Sequence, residues 1–367
     1  MSESNGTSRA LAFRDLFATV PVEHLVSNLT TRLGVHNFGT EVIPITINSN
    51  VGQATCYLCC PSVAYIDYAR DELRRFSSFK SLSCILGALL GLGYPLIRAA
   101  QLDRQVQANN WLLATNPLLD IAIDPLRVAT DEIAQMNPGH VVVWRSLNTY
   151  SDQAAIGVFR QVGYKMYPAR QIYLFDCRTA SPKFHRDEQR DRALLEQGDF
   201  EFVPTSAFRD NDYARAQLLY QHLYLEKYTW LNPQYTQSFI KSMHTSGIIE
   251  LQGLRAGNGE LRGVIGFFDS GSTMTAPVVG YDKRLPAATG LYRMLMALAT
   301  KRARERKLLF NMSAGAASFK RNRGGIGALE YTAVYDAGLH RRHRLAGVVV
   351  RKILEWVGIP LLRAFEL

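Results

Sequence analysis

The chain reads as an α/β (α+β) protein of two lobes, on three observations. In the first half, apolar strand-like runs alternate with segments of helical period. In the second half, three strand-like runs joined by short turns lead into a long helix and a short strand. Both halves also end alike: "HVVVWRSL…AAIGVFRQVGYKMYPARQIYLFD" and "LLFNMS…AASFKRNRGGIGALEYTAVYD" each run strand, helix, glycine, strand, then Asp after an aromatic, the mark of a duplicated fold. A length of 367 residues suits two domains, each with its own core.

Taken in order, MSESNGTS is polar and reads as untethered. "EVIPITI" and "ATCYLCC" read as the strands of a hairpin turning at "NSNVGQ". Helical periods follow near Asp71 to Phe76 and Leu82 to Gln107. "NWLLATN", "HVVVWRSL" and "RQIYLFD" read as strands, with helices near Asp131 and from Gln153 to Val162 between them. The polar segment Pro182 to Gly198 is the expected boundary, giving an N-terminal lobe over 1–195 and a C-terminal lobe over 196–367. Beyond it, Phe200 to Pro204 reads as a strand, Tyr213 to Tyr228 and Pro233 to His244 as helices, and Gly247 to Asp282 as a three-stranded meander. A helix over Gly290 to Arg306, the strand "LLFNMS" and the strand "LEYTAVYD" complete the lobe. In the tail, the pattern predicts a helix from Leu345 whose apolar side, Val349, Ile353, Trp356 and Val357, is covered by protein or by lipid.

Forty-two Lys and Arg against 32 Asp and Glu give a formal charge of +10. From Lys301 to Leu367 there are fourteen cations and five acids, so the excess is concentrated in the tail, where it suits a polyanion, an anionic bilayer surface or simple solvation. Five cysteines and no secretory signal fit a reducing cytoplasm better than a disulfide framework. Cys56-x-x-Cys59-Cys60 lacks a second ligand pair, and no metal is expected. "LSCILGALLGLGYPLI" is too short and too rich in glycine to cross a bilayer, so no transmembrane segment is expected.

The stretch with the most chemical promise is "SAGAASFKRNRGG", Ser313 to Gly325, where small residues admit close backbone approach beside clustered cations. Together with "EYTAVYD", "KYTWLNPQYT" and "VVVWRSLN…GYKMYPARQIYLFD", it resembles the tandem-GNAT, Fem-like acyltransferases over roughly Val141 to Asp336. The resemblance implies two GNAT-like lobes facing each other across a cleft, and transfer of an aminoacyl group from aminoacyl-tRNA, or an acyl group from acyl-CoA, to an amine. It implies no tightly bound cofactor. GNAT proteins that use CoA carry a Gln/Arg-x-x-Gly-x-Gly/Ala loop whose amides cradle pyrophosphate. Here that position reads "YDKRLPAATG", which disfavours CoA and leaves tRNA the favoured donor.

In the family, Phe319-Lys320 matches a Phe-Lys pair beside the reacting ester. Lys320 is therefore the first catalytic candidate, stabilising charge that grows during aminolysis, with Phe319 beside it; completing a short helix is its competing role. Arg321 and Arg323 are candidates for phosphate, against a role as exposed solubilising charge. Gly315 is a candidate for close backbone approach, against an ordinary turn. Lys227, Tyr228, Asn232 and Tyr235 lie around a helix break at Pro233 and are expected to line a substrate pocket, whereas Trp230 is expected in the core. Glu330 is a weaker candidate for a general base. Three functions follow: an aminoacyl transferase acting on a small or peptide-like amine; an N-acyltransferase drawing on acyl-CoA or an acyl carrier protein; or a non-catalytic protein binding RNA or a membrane surface. Acceptor and oligomeric state are not legible.

Overall fold

The computed structural model describes residues 3–18, 20–49, 56–75, 87–88, 90–179 and 183–365. Helix α1 (Glu3–Ala18) occupies most of the segment expected to be untethered, because Ala10 and Phe13 are fully buried on one face and Thr7 Oγ1 accepts from Val42 N at 3.2 Å. A short α2 (Val22–Leu25) leads to the hairpin of β1 (Arg32–Phe38) and β2 (Glu41–Asn48). Its two-residue turn places Gly39 at φ 59°, the left-handed region that glycine enters freely.

The expected hairpin of "EVIPITI" with "ATCYLCC" is therefore corrected: β2 pairs back with β1, and 56–60 forms turns that bury Cys56, Cys59 and Cys60. Residues 50–55, and Cys84, lie outside the described residues. Helices α3 (Tyr68–Arg75) and α4 (Gly93–Ala99) follow, and then β3 (Gln105–Ala108), where a helix was expected. All four residues of β3 are buried, and the "NWLLATN" run just beyond it is a bent loop rather than a strand.

Helix α5 (Ile123–Met136) buries Leu126, Ala129, Thr130 and Ile133, one stripe at helical spacing. Next come β4 (Val141–Asn148), α6 (Gln153–Val162), which ends on Gly163, and β5 (Lys165–Asp176). The segment expected to be the boundary contains helix α7 (Arg186–Glu196), followed by β6 (Glu201–Val203), α8 (Asp210–Tyr220) and a wide helical turn over Gln221–Tyr228. Helix α9 (Gln237–Thr245) precedes the expected meander of β7 (Glu250–Arg255), β8 (Leu261–Ser270) and β9 (Thr273–Tyr281). The chain closes with α10 (Leu291–Arg306), β10 (Leu309–Asn311), α11 (Ala317–Arg321), β11 (Ile326–Tyr335), α12 (Arg341–Ile353) and α13 (Ile359–Phe365).

The suspected duplication is plain in this order. Three antiparallel strands, a helix, a strand, a helix and a last strand occur as β1-β2-β3-α5-β4-α6-β5, with α3 and α4 inserted between β2 and β3, and again as β7-β8-β9-α10-β10-α11-β11. In each copy the strand after the first helix runs parallel to the third strand, β4 to β3 and β10 to β9. This is the element order implied by the GNAT resemblance, and the chain is a mixed α/β fold. The last strands, however, are exchanged. Residues 174–176 of β5 pair with β10, and Glu330–Tyr335 of β11 pair with β4.

The two compact units consequently divide inside those strands rather than near 195. One unit runs to Arg170 and takes in Thr229–Gln234 and Leu329–Phe365. In it the strands lie in the order β1-β2-β3-β4-β11-β5, with Trp144, Leu147 and Phe159 packed on one side and Val143, Tyr167 and Val334 on the other. The other comprises Gln171–Tyr228 and Tyr235–Ala328, in the order β5-β10-β9-β8-β7-β6, with α10 buried along its length against Ile265, Phe267 and Phe310.

Helix α12 begins at Arg341 and packs in the first unit through a face other than the one expected. Gly347 and Val350 are buried, and Tyr167 Oη donates to Gly347 O at 2.9 Å. A Cβ at 347 would sit 2.9 Å from that same hydroxyl, so glycine selects which side of the helix goes inward. Val349, Ile353, Trp356 and Val357 are exposed.

Candidate functional site

The Ser313–Gly325 stretch belongs to the second unit and forms a tight loop beneath α11. Beyond β10 the ladder persists, with Met312 N donating to Tyr173 O at 2.9 Å and Tyr173 N to Ser313 O at 3.1 Å. The chain then folds sharply: Ser313, Gly315 and Ala316 have φ of 61°, 76° and 51°. Left-handed backbone costs free energy at Ser313 and Ala316, so surrounding contacts must hold it. Lys320 supplies two of them, reaching back from α11 to donate through Nζ to Ser313 O at 3.1 Å and Ala314 O at 2.8 Å. The side chain is only 3% exposed, with its ammonium 5.7 Å from the Tyr173 ring. The small residues leave a gap outside the loop, since a Cβ at Gly315 would meet nothing within 4 Å.

Around α11 the aromatic and charged groups converge on Tyr292 of α10. Phe319 lies 4.9 Å from its ring, and Arg323 and Tyr228 both act on its hydroxyl. Burial pushes that hydroxyl up, Tyr228 and Tyr281 add to the shift, and Arg323 opposes it. Tyr228 and Lys227 are both exposed, with the Lys227 ammonium 5.5 Å from the Tyr228 ring.

Arg323 is not the exposed phosphate contact the sequence suggests. It is 6% exposed, stacks 3.4 Å above Phe319, and donates to Phe319 O at 2.9 Å and to Asp191 Oδ2 at 2.5 Å. Arg321 is exposed. Two other expected pocket residues are internal. Tyr235 stacks between Phe239 and Tyr220 in the core of the second unit. Asn232, in the first unit, closes its own loop onto Thr229 O and receives Asn28 Nδ2 at 2.9 Å. Trp230, expected in the core, is instead 58% exposed.

With Thr229 and Leu231, Trp230 lines a cleft of about 390 Å³ in the first unit, whose other wall is Asp67, Arg70, Asp71 and Arg74. The cleft mixes carboxylate and guanidinium groups along one helix face. Asp67 also accepts from Tyr94 Oη, and burial together with that carboxylate pushes the phenol up to about 12. The signal was present in the sequence, since acids at 67 and 71 and cations at 70 and 74 repeat at one-turn spacing. Glu330, considered as a base, is buried in the same unit and held by Arg170 through two contacts, at 2.8 and 3.2 Å. Arg170 and Arg145 share Ala114 O as an acceptor.

Helix α7, in the segment expected to be the boundary between lobes, supplies buried acids. Glu188 receives two hydrogen bonds from Arg304, both at 2.8 Å, and Asp191 bridges Arg293 and Arg323. This clamps α7 to α10 at Arg293 in its first turn and at Arg304 in its last. A Cβ at Gly290, the N-cap of α10, would collide with Leu194 of α7. The preceding turn is tied down by Asp282, which is fully buried and paired with Arg215, Arg262 and Arg284.

No protein-family model matches the chain, and no curated protein matches it. Among solved structures, it is similar to a conserved protein of unknown function from Bacteroides thetaiotaomicron VPI-5482, with 12% identity over 91% of this chain and 96% of that one and a TM-score of 0.49. It is also similar to L-PGS from Bacillus licheniformis, with 13% identity, coverage of 67% and 82%, and a TM-score of 0.45. A third similar structure is FemX, with 10% identity, coverage of 57% and 76%, and a TM-score of 0.44.

Proposed function

We propose that the chain is a GNAT-type acyltransferase that forms an amide by passing an aminoacyl group from aminoacyl-tRNA to the amine of a small or peptide-like acceptor. The observation carrying the choice of donor is the covered start of α10. A donor presenting pyrophosphate there needs free backbone amides and room for its oxygens. Leu194 occupies the approach to Gly290, and Asp191 brings a carboxylate to Arg293 in the first turn. Exposed Lys227 and Arg321 near the loop supply phosphate-neutralising charge that a tRNA needs.

In this reading the Ser313–Ala316 loop receives the aminoacyl ester, and Lys320 is the cation beside it, desolvated and fixed by two carbonyls. Phe319, Tyr228 and Lys227 flank the ester. Cys56, Cys59, Cys60 and Cys177 are free and buried, which supports work in a reducing cytoplasm.

Mass spectrometry of the ligands and RNA that co-purify with the protein tests the reading. Recovery of tRNA bearing one amino acid supports it. Recovery of acyl-CoA or an acylated carrier protein replaces the donor, and RNA without any transfer activity returns the chain to a binding role.

A further inference from the structure

Beyond any transfer reaction, the geometry points to α12 and α13 docking the protein on an anionic phospholipid bilayer. The inward face of α12 is already used: Gly347 and Val350 are buried, and Ala346 and Leu354 pack on Ile97, Tyr167 and Val334. The outward face is apolar. Leu345, Val349, Ile353, Val357 and Leu361 follow one another at four-residue intervals, all exposed, and Trp356 beside them is 74% exposed.

In a regular α-helix such a spacing drifts about 40° for every four residues, because each residue turns the chain by about 100°. A wide turn over Leu354–Gly358 offsets that drift, marked by Ile359 N donating to Leu354 O five residues back. The stripe therefore stays on one side for longer than a plain helix allows.

Charge selects the occupant. The exposed charged residues of this segment, Arg341, Arg342, Arg344, Lys352 and Arg363, are all cationic. Its one acid from Arg341 to Phe365, Glu355, is half-buried and paired with Arg351 and with Lys352 at 3.2 Å. An anionic bilayer takes both components at once: cations meet headgroup phosphates, aliphatic side chains enter the acyl boundary, and a tryptophan sits at the interface between them. RNA would use the cations and leave the aliphatic stripe in water. A two-fold contact with a second copy would bury the stripe but bring the same cations together across the axis. No helix among the described residues is long and apolar enough to cross a membrane, so the contact is peripheral.

Flotation of the full chain with vesicles of phosphatidylglycerol and phosphatidylcholine, against phosphatidylcholine alone, tests the inference. Binding is expected on the anionic vesicles only, weakening with salt and falling at least about tenfold in Ile353→Asp/Trp356→Asp. Both side chains are exposed, so an unchanged melting temperature verifies that the variant is folded. Absence of vesicle binding by the folded wild type overturns the inference, as does equal binding by the variant. Loss of RNA binding, or of a concentration-dependent dimer, in the variant without any vesicle binding overturns it in favour of those partners.

Discussion

Arg323 donates through Nε to Asp191 Oδ2 at 2.5 Å, tying the stretch after α11 to the middle of α7, while Asp191 Oδ1 accepts from Arg293 of α10 at 2.6 Å. One carboxylate thus joins the end of the Ser313–Gly325 stretch to α7 and α10. Asp191 and Arg323 are both buried, and removing Asp191 leaves the Arg323 guanidinium with no carboxylate nearer than Asp187 at 4.0 Å. Asp191→Ala is expected to destabilise the protein by about 3–5 kcal/mol, read from denaturant midpoints. Asp191→Ala/Arg323→Met is expected to cost less than the sum of the two single changes, and strict additivity would contradict the coupling.

Lys320→Met keeps the aliphatic stem and removes the donor to Ser313 O and Ala314 O. Ser313 O keeps Tyr173 N as a donor while Ala314 O loses the ammonium, and stability is expected to fall by about 1–3 kcal/mol. Where the ammonium also faces the reacting ester, the single-turnover transfer rate falls by a further ~2–4 kcal/mol in barrier at a temperature where the variant is folded. A stability loss with unchanged turnover would leave Lys320 as a loop-positioning group alone.

Glu330→Gln separates structure from catalysis in the first unit. Arg170 loses its carboxylate partner in a buried site, and a loss of about 3–5 kcal/mol is expected in the denaturation midpoint. A folded variant with wild-type stability and a collapsed transfer rate would restore Glu330 as a general base.

Acid stability carries a signature from the second unit. The Arg302 guanidinium, hydrogen-bonded to Glu250, holds that carboxyl down to about 2 from its ordinary 4.5. A carboxyl whose folded pKa is depressed contributes fully above its unfolded value and loses that contribution as pH falls through the folded one. Melting temperature is therefore expected to drop between about pH 4.5 and pH 2, and Glu250→Gln is expected to flatten that limb. An identical acid slope in the variant would contradict the pairing.

Much of the fold was legible because its signals are local. The meander with its turns, the sixteen-residue α10 and the strand-helix-strand endings all carry their period in the sequence. The exchange of β5 and β11 left no such mark, since pairing across more than a hundred residues is set by tertiary packing. Helix α7 lies in the segment expected to be a boundary because "RDEQRDRALLE" looks solvated until Glu188 and Asp191 find guanidiniums on α10. That also corrects the charge argument. Arg302, Arg304, Arg306 and Arg323 of the basic tail are paired with acids upstream, so much of the exposed excess lies on α12 and α13. At the candidate site, Phe319 and Lys320 come from the resemblance, and Tyr228 from the aromatic-rich loop at the Pro233 helix break. Tyr235, Asn232 and Arg323 were misjudged because a polar-tipped or charged side chain shows nothing in sequence of the partner that buries it.

The most direct test titrates CoA and aminoacylated tRNA against the protein side by side over a series of salt concentrations. With α10 closed by Leu194 and Asp191, CoA is expected not to bind, and tRNA to bind with an affinity that falls steeply as salt rises. Saturable CoA binding without tRNA binding would contradict the proposed donor and return the chain to thioester chemistry.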